Sequence, residues 1–207
     1  MGGLEGVVKQ LSIGFASRGG KSHIYRGGWM HKNYKEAWSY KVSKLDFAEA
    51  MAEVASTIVN YFKNDGGIAY INVLANISTI CDYGGTAAPT PKIRNIGILA
   101  SLDPVAIDRT CYDLFVKENN TGSHEWINQS ETLLGLNTPK FAEELGIGTQ
   151  DYNLIMVNDD NNGDDKNYIW YIVISVVGAA IFIGAIVGIV LYNKKKNKQQ
   201  ILNFNRR

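Results

Sequence analysis

The residues with the clearest chemical potential lie near the start of the chain. Ser17-Arg18-Gly19-Gly20-Lys21-Ser22 ends like a phosphate-binding loop, in which glycine amides and one lysine cradle phosphate oxygens. That loop needs a glycine at position 15, where Phe15 stands, and Gly14 is one residue too early. The nucleotide form is therefore set aside. A glycine turn that presents Arg18 and Lys21 still suits a simpler small anion. Asp82 follows a stretch of strand formers, a position where carboxylates orient ligands or hold metals, and Cys81 beside it makes the pair a weak metal-ligand candidate. Asp103, just before Pro104, reads as a helix cap, and Asp108 lies one turn further on. His23 and His31 lack the spacing of a metal-binding helix, and Cys111 falls on an apolar stripe and reads as core.

These side chains need a scaffold, and the patterning predicts an α/β one. Leu45, Ala48, Ala52, Ala55, Val59 and Phe62 recur at helical spacing between Ser43 and the stop at Gly66-Gly67. Strands are expected at 68–74, 96–100 and 152–157, and further helices after Asp103-Pro104 and between Thr138-Pro139 and Gly146. Strands that alternate with helices imply a partial, mostly parallel sheet with flanking helices over residues 1–157. Residues 158–167 are polar and acidic and read as a linker.

Charge is distributed unevenly. All 20 acidic residues and 15 of the 21 basic ones lie in 1–167, so that part carries −5 and the remainder +6. A mildly acidic domain offers no footprint for nucleic acid. From Tyr168 to Tyr192 no residue is charged, which predicts one transmembrane helix with interfacial Tyr168, Trp170, Tyr171 and Tyr192 and with the lipid bilayer as partner. The basic tail 193–207, with Lys194, Lys195, Lys196, Lys198, Arg206 and Arg207, is expected in the cytoplasm and the domain outside or in a lumen. No signal peptide precedes the domain, so that orientation expects a natural start upstream of Met1; a tail anchor with the reverse orientation is the alternative. Ala180, Gly184 and Gly188 share one face of the expected helix and open it to homodimerisation, although glycine is common in membrane helices.

Four blocks bring a family into view: Leu11 to Lys21, Tyr70 to Asp82, Asn95 to Asp108 and Ala142 to Gly148. In this order they resemble the C-terminal half of the domain of unknown function 362 family, often described as uncharacterised iron-sulfur proteins. The resemblance covers residues 2 to about 157 and implies a ferredoxin-like insert with C-x2-C-x2-C-x3-C-P runs after Lys21. Residues 22–44 hold no cysteine, Phe15 stands where the family often has one, and Tyr83 replaces the last residue of a common Cys-Asp-Cys. Two cysteines cannot supply four thiolates, so no cofactor is expected and a self-contained [4Fe-4S] cluster is argued against. The family's N-terminal half is also missing, which would leave sheet edges and apolar faces uncovered. The expected function is a membrane-tethered binding or interaction module derived from that family. Whether it is an enzyme is left open: a membrane-tethered redox or metal-dependent enzyme and an inactive truncated fragment are the alternatives.

Overall fold

The computed structural model describes Leu4 and residues 6–28, 42–78 and 90–157, together with the backbone of 170–175. The chain divides at Ser175 into two units, and the second, 176–207, lies outside the described residues. In the first unit, α1 (Val7–Lys9) runs on into a wider π-helical turn, Gln10–Gly14. Then come α2 (Arg18–Ile24) and α3 (Lys44–Phe62), which Ser43 caps by accepting a bond from the Leu45 amide. After a short 3-10 turn, Gly66 and Gly67 take positive φ angles and release the chain into β1 (Tyr70–Leu74).

Next along the chain are β2 (Gly97–Ser101), α4 (Pro104–Glu118), α5 (Thr121–Thr132), α6 (Asn137–Glu144), β3 (Tyr152–Val157) and β4 (Trp170–Ser175). The strands form one sheet in the order β1-β2-β4-β3. Strand β1 pairs antiparallel with β2 (Tyr70 opposite Ser101), β4 parallel with β2 (Trp170 beside Ile98), and β3 antiparallel with β4 (Tyr152 opposite Ser175).

Two expectations are corrected here. The sheet is mixed, and two of its three pairings are antiparallel rather than mostly parallel. A parallel pair needs a crossover, usually a helix, and the segment between β1 and β2, with Gly84-Gly85, Pro89 and Pro91, carries turn formers instead. The second correction concerns the transmembrane helix expected over 168–192. Its residues 170–175 form β4, and no helix among the described residues is long and apolar enough to cross a membrane. Trp170-Tyr-Ile-Val-Ile-Ser175 is aromatic and β-branched, and a strand hydrogen-bonded on both sides suits such a run as well as a membrane helix does.

Helices cover one face of the sheet. Tyr70, Leu74 and Leu99 point into a core shared with Val8 and Leu11, Ala52 and Ala55 of α3, Val105, Ile107 and Phe115 of α4, and Ala142 of α6. Alternation turns Ile71 (65% exposed) and Val73 (62%) of β1 the other way, and Ile155 and Val157 of β3 are exposed as well. Apolar side chains are thus exposed on β1 and β3, which form the two edges of the sheet.

Candidate functional site

Arg18 and Lys21 sit on α2, not in a glycine turn. Ser17 is the N-cap, its hydroxyl accepting a bond from the Gly20 amide at 3.1 Å, so both glycines fall inside the first helical turn. Ile24 drives this helix: it is buried with Phe47 and Met51 of α3, and Tyr25 stacks on Phe47 with ring centroids 5.3 Å apart. Arg18 is exposed and Lys21 half-buried. Three residues apart on one helix, their side chains are neighbours on one face.

The end of α2 is as well defined as its start. The Gly28 amide donates to the His23 carbonyl (3.0 Å) and the Gly27 amide to that of Ile24 (2.9 Å), a Schellman closure with Gly27 in the left-handed region at φ 63°. Between Tyr25 and Gly27 lies Arg26, which is buried.

A second cluster, not recognisable from local spacing, centres on Asp108. Gly6 precedes α1 and has no side chain to cap it; Asp108, a hundred residues away, supplies the cap. Its Oδ1 accepts from the Val7 amide (2.6 Å) and its Oδ2 from the Val8 amide (2.9 Å). A Cβ on Gly6 would lie 2.1 Å from Oδ1, so this approach requires glycine. The Asn72 amide group bonds Asp108 and donates to the Cys111 sulfur at 3.2 Å. Burial raises the Asp108 carboxyl to about 6, against the opposing pull of the Val8, Val7 and Asn72 bonds. Burial, and then the charge of Asp108, push the Cys111 thiol up to about 12, which keeps it a neutral core side chain.

Asp103 acts as the cap read from the sequence and does more besides. Its Oδ1 accepts from the Val105 and Ala106 amides, both at 2.9 Å, and its Oδ2 from the Thr149 amide at 3.1 Å, which ties the loop after α6 to the start of α4. The carboxylate occupies this helix terminus, the place at the end of a sheet strand where α/β folds often bind anions. Farther along α4, Asp113 takes bonds from Arg109 (3.1 Å) and from the Tyr152 hydroxyl (2.8 Å), which pins β3 to the helix.

Several candidates lie outside the described residues: Cys81, Asp82, Tyr83 and His31, the linker 158–167, the tail 193–207, and Ala180, Gly184 and Gly188. Among the described residues no three His, Cys, Asp or Glu side chains gather into a metal-binding group.

The architecture is an α/β domain with one helix layer on a mixed four-stranded sheet, clasped internally by the buried carboxylate of Asp108. The family described as Domain of unknown function (DUF362) matches residues 1–113, more than half of the chain, and the protein belongs to that family. No curated protein and no solved structure matches it.

Proposed function

We propose that this chain is a membrane-associated binding module of the DUF362 family, derived from its C-terminal half without the cluster-binding insert, and that its ligand is a small anion. The observation that carries the reading is the pair Arg18 and Lys21, held three residues apart on one face of α2 by the Ser17 cap and the Ile24–Phe47–Met51 cluster. Two cations on a packed helix attract an anion more strongly than cations on a mobile loop, because less side-chain and backbone freedom is lost on binding. Asp82 is assigned the part of orienting that ligand. A self-contained [4Fe-4S] cluster has no place in this reading: Cys111 is a buried neutral thiol, and Cys81 alone cannot ligate one. Membrane association is assigned to the uncharged apolar residues 176–192 and the basic tail after them.

The test is thermal unfolding with inorganic phosphate, pyrophosphate and adenosine diphosphate at millimolar concentration. A ligand at 100-fold its Kd should stabilise wild type by about 2.7 kcal/mol, and Lys21→Ala should abolish the effect. If none of the three shifts wild type, the anion reading fails.

A further inference from the structure

Arg26 is 3% exposed, and among the described residues its Nε has no hydrogen-bond acceptor. The ion pairs of the described residues join Lys92 to Glu125, Arg94 to Glu118, Arg109 to Asp113 and Lys140 to Glu144, and none of them reaches Arg26. A guanidinium cannot shed its proton as a buried lysine or carboxyl group can, so its charge persists wherever the fold puts it. Buried charges are paired in stable proteins because leaving one without a partner forfeits its hydration for nothing in return. The end of α2 offers a partial negative charge, and its His23 and Ile24 carbonyls already receive the Gly28 and Gly27 amides.

The fold also holds Arg26 in place. On one side of it, Tyr25 is stacked against Phe47 of α3. On the other, Gly27 is pressed so close to the first turn of α3 that a Cβ there would lie 2.5 Å from the Cβ of Asp46. The neighbouring Gly28 is exposed, and among the described residues a Cβ on it would meet nothing within 4 Å, so the turn itself is open at Gly28.

We infer that Arg26 anchors a site for an oxyanion, the phosphate or carboxylate group of a small ligand, at the glycine turn between α2 and the start of α3. A planar fork of N–H donors on an immobile backbone matches such a group in two parallel hydrogen bonds. This inference stands independently of Arg18 and Lys21, because it rests on a buried donor without an acceptor and not on exposed charge.

The experiment compares melting of the full chain in inorganic phosphate, in acetate and in chloride at equal ionic strength, for wild type, Arg26→Met, Arg26→Lys and Lys21→Ala. Wild type should melt higher in phosphate or acetate than in chloride, and which of the two acts identifies the chemical class of the ligand. Arg26→Met should lose that response while melting in chloride at or above wild type, because it removes a buried Nε donor without an acceptor and keeps the apolar stem. Arg26→Lys should show a reduced response, and phosphorus NMR line broadening of phosphate by wild type but not by this variant gives a readout independent of melting. The inference is overturned if wild type responds no more to either oxyanion than to chloride, if Arg26→Met keeps the full response, or if Arg26→Met melts well below wild type in chloride. A response lost in Lys21→Ala but kept in Arg26→Met places the anion at the start of α2 alone and also overturns it. Loss in Arg26→Met with retention in Lys21→Ala supports this inference and removes the other reading.

Discussion

The Asp108 clasp makes stability depend on pH in a direction unusual for a carboxylate. Most native carboxylates have lowered pKa values, and their proteins weaken as acid protonates them. Asp108 is 1% exposed, and its pKa rises from 3.8 to about 6 because burial outweighs the two amide bonds it accepts. Between those values the native state binds more protons than the unfolded chain, so this group's contribution is largest below about pH 4 and is lost as pH rises through about 6. The full swing is about 3 kcal/mol, of which about 1 kcal/mol falls between pH 5 and pH 7. Asp108→Asn removes the titration, keeps the volume and retains one acceptor for the Val7 and Val8 amides. The assay is urea unfolding of wild type and Asp108→Asn at pH 5, 6 and 7. The difference between the two proteins cancels every other titrating group. Relative to wild type, the variant should gain about 1 kcal/mol from pH 5 to pH 7. A separation that stays constant across this range, or shrinks with the opposite sign, would refute the raised carboxyl and with it the buried clasp.

The same structure sets three further expectations. Leu134, at the end of α5, adopts φ 58° where the Gly135 amide closes onto Ser130, so Leu134→Gly should raise stability by about 1 kcal/mol in urea unfolding. Asp103→Ala should cost about 2 kcal/mol or more, beyond an ordinary cap, because the Thr149 amide loses its acceptor along with those of Val105 and Ala106; an effect under 1 kcal/mol would mean that water replaces the carboxylate. Anaerobic reconstitution should leave no stoichiometric iron or sulfide on the protein, and finding both would point to thiolates shared between copies.

Much of the scaffold was legible because its signals are local. The Ser43 cap and the 45/48/52/55/59/62 period mark α3, Asp103-Pro104 opens α4, and Gly146 closes α6 with φ 73°. Strands β1, β2 and β3 fall within a residue or two of the expected segments. Helix α5 carries no such signal: its start is an Asn120–Ser123 box and its sequence holds few apolar residues besides Trp126, so no period stands out. Strand β4 is hidden for a different reason. A strand paired on both sides need not alternate, and no glycine, proline or charge separates Ser175 from the apolar residues that follow, so six strand residues disappeared into a longer apolar run.

The chemistry was less legible than the scaffold, and Gly19-Gly20 shows why. Two adjacent glycines in the interior of a short helix cost roughly 1 kcal/mol each relative to alanine, so local propensity argues for a turn. The helix forms nonetheless because Ile24 and Tyr25, one turn later, pack on Phe47 and Met51 of α3, a partner more than twenty residues away. That contact converts two cations in a presumed loop into neighbours on one helical face and buries Arg26 in the turn that follows. Asp108 follows the same logic over a longer distance: its i+5 spacing from Asp103 says only that it lies on α4, and Gly6 is the one local trace of the carboxylate that α1 needs. Residue type announces what a side chain can do, but in this protein long-range packing decides which carboxylates are used up as caps and which cation is buried without an acceptor at its Nε.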